Sequence, residues 1–115
     1  YFAMGDLGLL PSRFKGESYP LVIMECLLAG KPVLSTDIAE VPDQIADEWG
    51  NKAGILVALK EWDFEVKDFA ENIYRLANND QDYAELIKYT KSASEKFDIE
   101  KIVKRYLNLY REAVK

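Results

Sequence analysis

The chain has 115 residues, 49% of them hydrophobic and 30% charged, with a net charge of −5, one cysteine and no histidine. That length suits one domain with a substantial core, and the negative charge weighs against nucleic acid or an anionic membrane surface as a partner. Cys26 alone cannot form an internal disulfide and fits a reducing, cytoplasmic compartment; no apolar run approaches the roughly 20 residues of a membrane span, and the usual zinc ligands are missing.

Asp6-Leu7-Gly8-Leu9-Leu10, closed by Pro11-Ser12, predicts a short parallel strand buried on both faces. Gly8 inside it marks a bulge or the close approach of a backbone or ligand. Ser12 to Ser18 is a polar loop, with Ser18 as N-cap of a helix that admits Pro20 in its first turn. The helix runs to Ala29 and stops where Gly30 can turn left-handed and Pro32 cannot continue. Its residues are apolar on every side except at Glu25, so it reads as buried, and a carboxylate in a buried helix needs a partner. A ligand hydroxyl could be that partner, and so could a backbone amide or a lysine.

Pro32 to Thr36 is a second strand, Val41 to Ala46 a short helix, and Gly54 to Val57 a third strand reached through the turn-rich Glu48 to Lys52. Strand and helix alternate, which argues for an α/β layer with a parallel sheet. From Asp63 onward the pattern is helical. Val66, Phe69, Ile73, Leu76 and Ala77 mark one apolar face, and Tyr83, Leu86, Ile87, Ala93 and Phe97 mark a second. Asp98 caps a third helix striped by Ile99, Ile102, Val103, Tyr106, Tyr110 and Val114. Ser12 and Thr36 end strands at the carboxyl edge, where open α/β sheets bind ligands, although either could serve only as a turn cap. Trp49 and Trp62 read as core or interface residues. Three strands are few for a parallel sheet, so a chain opening on Tyr1-Phe2-Ala3-Met4-Gly5 reads as cut from something longer.

Asp6-Leu7-Gly8-Leu9-Leu10-Pro11-Ser12, Gly16-Glu17-Ser18-Tyr19-Pro20-Leu21-Val22-Ile23-Met24-Glu25, Ala29-Gly30-Lys31-Pro32-Val33-Leu34-Ser35-Thr36-Asp37 and Val41-Pro42-Asp43 together resemble the C-terminal domain of GT-B retaining glycosyltransferases of family 4. Two glutamates with seven residues between them are that family's hallmark, matched here by Glu17 and Glu25. The resemblance spans about Asp6 to Val57 and continues by helix order alone. It implies a Rossmann-like half of a GT-B C-terminal domain, with three parallel strands, flanking helices and a helical C-terminal portion. Residues 1–115 would then form one partial nucleotide-sugar-binding domain, without the upstream strands and the N-terminal acceptor domain.

By that resemblance the full-length protein transfers a sugar from a nucleotide-diphosphate sugar to a glycan, lipid or small-molecule acceptor with retention of configuration, and this segment alone is inactive. Its donor is a substrate, and no cofactor or metal is implied. Glu17 is the implied catalytic residue, beside the donor sugar where positive charge develops, and Glu25 accepts from the ribose hydroxyls. Ser18, Tyr19 and Pro20 complete the donor-binding set, with amides that begin a helix facing the diphosphate. The family's phosphate-binding arginine and lysine lie upstream of this segment, and Arg13, Lys15 and Lys31 are not their substitutes. Ala39-Glu40 stand where the family often has a glycine pair, and Ser18 where it usually has glycine. The resemblance also allows a terminal helix that crosses back to the N-terminal domain, a place at the inner membrane face for the whole protein, and self-association of the segment through its exposed first strand. A non-catalytic nucleotide-binding regulator of the same fold is the alternative, whereas a nicotinamide dehydrogenase is disfavoured because no glycine-rich fingerprint follows any strand.

Overall fold

The computed structural model describes all 115 residues, Tyr1–Lys115. After a 3-10 turn at Phe2–Met4 the order is β1 (Gly8–Leu10), α1 (Leu21–Leu28), β2 (Val33–Thr36), α2 (Val41–Gln44), β3 (Gly54–Val57), α3 (Val66–Asn78), α4 (Asp80–Lys88), α5 (Thr90–Ser94), a 3-10 turn at Glu95–Phe97, and α6 (Ile99–Ala113). The strands form one parallel sheet in the order β1-β2-β3, with Gly8 opposite Val33 and Val33 opposite Gly54. This is the Rossmann-like α/β arrangement expected from the alternating pattern.

Alternation along the central strand β2 sorts the core into two layers, since successive strand side chains point to opposite faces. Val33 packs with Ile23, Cys26 and Leu27 of α1, Val41 and Ile45 at α2, and Ala93 and Phe97 from the C-terminal half. Leu34 faces the other way, toward Val57 and Phe69 of α3. Two glycines are fixed by close approach. A Cβ on Gly8 would lie 2.5 Å from Cys26 Sγ, so α1 can sit on β1 only over a bare backbone, and a Cβ on Gly54 would lie 2.4 Å from the Val33 carbonyl oxygen. Strand β1 itself is shorter than expected and half-buried, with Leu9 exposed. As an edge strand it has a neighbour on one side only, so burial on both faces was an overestimate.

Gly30 ends α1 as expected, at φ +73°. The Lys31 amide donates to the Cys26 carbonyl and the Gly30 amide to that of Leu27, at 2.9 and 3.0 Å, the paired bonds of a Schellman cap. The start of α1 corrects the sequence reading. Pro20, at φ −65° and ψ 120°, is the N-cap residue, and no side chain caps this end, so Ser18 lies outside the helix.

The second expected helical face is broken. Tyr83 to Phe97 is divided among α4, α5 and a 3-10 turn because Thr90, Ser92 and Ser94 hydroxyls donate to the carbonyls three residues earlier, competing with the helical ladder. Asn79, which the apolar pattern did not reveal, caps α4 by accepting from the Gln81 and Asp82 amides. Asp98 caps α6 as expected, accepting from Glu100 and Lys101. Helix α6 then runs for about 22 Å with no buried residue, and it contributes to a molecule 56 Å long and 33 Å wide. Tyr106 and Tyr110 are 57% and 66% exposed. No helix is long and apolar enough to cross a membrane.

Candidate functional site

Because all three strands are parallel, the loops that follow them gather at one edge of the sheet, the edge where open α/β sheets bind ligands. The loop after β1 is tied down from both sides. The Thr36 hydroxyl at the end of β2 donates to the Ser12 carbonyl, and the Ser12 hydroxyl donates to Glu17 Oε2 at 3.3 Å. Ser12 Oγ also accepts from the Phe14 amide, and the Glu17 amide donates to the Phe14 carbonyl at 2.9 Å, closing the turn that presents Glu17. Ser12 and Thr36 therefore do more than cap their own turns, since through them the ends of two strands orient the Glu17 carboxylate. The loop after β3 braces the same segment. Arg13 pairs with Asp63 at 2.6 Å, and Lys15 Nζ lies 5.2 Å from the centre of the Trp62 ring. Arg13 and Lys15 thus spend their charge sideways within the protein. Trp49 and Trp62, expected in a core or interface, are exposed in the chain.

Ser18, Tyr19 and Pro20 lead into α1 and are held from α2. The Glu40 amide donates to the Ser18 carbonyl at 3.1 Å, and the buried Gln44 side chain donates through Nε2 to the Pro20 carbonyl at 3.2 Å. The amides of Ser18, Tyr19, Leu21 and Val22 donate to no protein acceptor, which leaves a cluster of outward donors at the positive end of the helix dipole. Tyr19 packs edge-on against Phe97 with ring centres 6.3 Å apart. Burial pushes its phenol up, the Glu40 carboxylate adds to that push, and the nearby Gln44 side chain opposes it, so Tyr19 is neutral at physiological pH.

Glu25 departs from the sequence argument. It is exposed, as are Leu21 and Leu28 on the same face, and its carboxylate has no partner in the chain. The helix packs through the buried Ile23, Cys26 and Leu27, flanked by the half-buried Val22 and Met24, so the remaining face with Leu21, Glu25 and Leu28 is open and the carboxylate stays in water. Glu17, Ser18, Tyr19 and Pro20 meet at the α1 N-terminus, and Glu25 stands about 6 Å farther along the axis. No group of three or more histidine, cysteine, aspartate or glutamate side chains is gathered for a metal. Where the glycine pair was expected, Ala39 takes φ +50°, the left-handed conformation a glycine would adopt freely. Gln44 was not singled out from sequence, because at the end of the short helix Val41–Gln44, beside Asp43, a polar residue carries no signal of burial.

Residues 1–79, from the first turn through α3, match the family described as glycosyl transferases group 1. The chain belongs to that family. The matched stretch holds every candidate residue of the site. Among curated relatives, a poly(ribitol-phosphate) alpha-N-acetylglucosaminyltransferase of Staphylococcus aureus is 30% identical over 91% of this chain and 20% of its own length. An exopolysaccharide phosphotransferase of Streptomyces coelicolor is 34% identical over 98% of the chain and 11% of its own length. An uncharacterized 41.2 kDa protein in the cps region of Klebsiella pneumoniae is 29% identical over 96% of the chain and 28% of its length. The chain therefore spans less than a third of each of these relatives.

Proposed function

We propose that this chain is part of the donor-nucleotide-binding C-terminal domain of a GT-B retaining glycosyltransferase of family 4, acting in polysaccharide biosynthesis. The observation that carries the reading is the N-terminus of α1, where the Ser18, Tyr19, Leu21 and Val22 amides have no protein acceptor and Glu17 and Glu25 flank them. Such a helix end attracts phosphate, by about 0.3–1 kcal/mol when exposed and up to about 2 kcal/mol when partly buried. Glu25 is acceptor-only when ionised, and its two oxygens can take both donors of a ribose diol. Glu17, oriented by Ser12, acts on positive charge developing at the donor sugar.

In this reading residues 1–115 are one partial domain, the acceptor binds mainly on an N-terminal domain outside this chain, and upstream strands continue the sheet beyond β1. The exposed stripe of α6 reaches back toward that N-terminal domain. The protein works in the cytoplasm, at the inner membrane face, with a nucleotide sugar as substrate and no metal. The rival reading, a non-catalytic nucleotide-binding regulator of the same fold, predicts donor binding without turnover.

Steady-state kinetics of the full-length protein test the assignment. Loss of a charge-assisted hydrogen bond costs about 1.5–3 kcal/mol, so Glu25→Gln raises the donor KM roughly tenfold or more. Glu17→Gln lowers kcat more than it raises KM, because its interaction strengthens only in the transition state. Small and equal effects of both substitutions on both constants would make these glutamates structural.

A further inference from the structure

Gln44 is fully buried, yet it is polar, and its Oε1 accepts no hydrogen bond. A methionine or leucine would fill the same space without leaving an orphaned acceptor, which is costly in a low-dielectric interior. What the amide adds is its bond from Nε2 to the Pro20 carbonyl at 3.2 Å. The Glu40 amide makes the parallel bond to the Ser18 carbonyl, two residues earlier. Both grips come from one short element, and that element is itself immobilised. Val41 and Ile45 are completely buried, the Ala53 amide donates to the Ile45 carbonyl at 2.9 Å, and Lys96 Nζ donates to the carbonyls of Asp43 and Ala46.

Peptide geometry converts these grips into a direction. In a trans peptide the carbonyl of one residue and the N–H of the next lie in one plane and point opposite ways, and this chain has no cis bond. Holding the Ser18 carbonyl toward α2 therefore aims the Tyr19 N–H away from α2, and holding the Pro20 carbonyl there aims the Leu21 N–H the same way. Both are among the amides without a protein acceptor. We propose that Gln44 is a positioning residue, whose buried amide works with the Glu40 backbone to preset the Tyr19 and Leu21 N–H groups as a pair for the donor diphosphate. This rests on the donor-domain reading above. It adds that the recognition element is held from the loop after β2, and that phosphate affinity depends on a residue that never touches the ligand.

The test uses the full-length protein and isothermal titration with uridine, guanosine, adenosine and cytidine diphosphates and the matching nucleosides. Gln44→Met keeps the volume and removes the bond. It is expected to weaken the cognate diphosphate about tenfold, to leave the nucleoside within twofold, and to raise the donor KM with kcat at saturation unchanged. A purely structural role would instead lower the melting temperature without separating diphosphate from nucleoside. Wild-type protein that binds no nucleoside diphosphate overturns the donor reading and this proposal together; wild-type binding that Gln44→Met leaves intact overturns the proposal alone. Should Gln44→Met fail to fold, Gln44→Glu carries the test. Protonated, it has one O–H to give to Pro20, and ionised it has none. Its diphosphate affinity relative to wild type at the same pH is expected to rise as the pH falls, and a flat ratio would overturn the proposal.

Discussion

Substituting Gly54 by alanine strikes the sheet where it has no room to yield. The new Cβ would stand 2.4 Å from the Val33 carbonyl oxygen and 3.2 Å from its carbon, both backbone atoms of the buried central strand. An ordinary contact of this kind is about 3.4 Å or more, so β2 and β3 would have to part by about 1 Å at the first pair of their register, Val33 opposite Gly54. Overpacking of this sort costs about 1–3 kcal/mol, and weakening the neighbouring bond from the Val33 amide to the Ala53 carbonyl, 3.1 Å long, adds about 0.5–1.5 kcal/mol. The expected loss is therefore about 1.5–4.5 kcal/mol, a large share of the roughly 5–15 kcal/mol of a typical domain. In urea unfolding, with a slope of about 1–3 kcal/mol/M, the midpoint should fall by at least about 0.5 M. Gly50→Ala is the control. Its φ of +87° imposes backbone strain, but nothing lies within 4 Å of the added carbon, so it should cost only about 1–2 kcal/mol. If Gly54→Ala is no more damaging than Gly50→Ala, the argument from close approach is wrong.

Gly8→Ala should also destabilise, because its Cβ would lie 2.5 Å from Cys26 Sγ; Cys26→Ala made in the same chain should restore part of the loss, and additive effects in the double-mutant cycle would contradict the proposed contact. Asp47 provides a pH signature. Burial alone raises its carboxyl, but hydrogen bonds from Asn51, Ser92 and the Trp49 amide outweigh that and hold it below the usual carboxylate range. A depressed folded value means that its stabilisation is complete above the unfolded value, near pH 3.9, and is lost as pH falls through the folded one. Asp47→Asn should therefore lower the melting temperature at pH 7 and differ less from wild type toward pH 3, whereas a gap that stays constant with pH would refute the hydrogen-bonding account.

Sequence alone determined what neighbours along the chain decide. Gly30 and Pro32 stop α1, Asp98 starts α6, and Val33-Leu34-Ser35-Thr36 and Gly54-Ile55-Leu56-Val57 form β2 and β3 with the spans their apolar runs suggest. These outcomes depend on backbone preference, capping and strand length, which act within a few residues. The spacing of Glu17 and Glu25 and the motifs around them were legible for the same reason. What depended on distant contacts was not. The N-cap is Pro20 instead of Ser18, at a segment whose carbonyls meet Glu40 and Gln44 from α2. Glu25 lies in water because only one face of α1 meets the core, a fact that an all-round apolar sequence cannot disclose. Helix α6 has the stripe of a packed helix but buries none of its residues, with only Ile102 of that stripe half-covered, since periodicity says that a face is apolar and not what covers it. The Ser12, Thr36 and Glu17 network joins residues up to 24 positions apart, and it exists because parallel strands deliver their carboxyl ends to one edge.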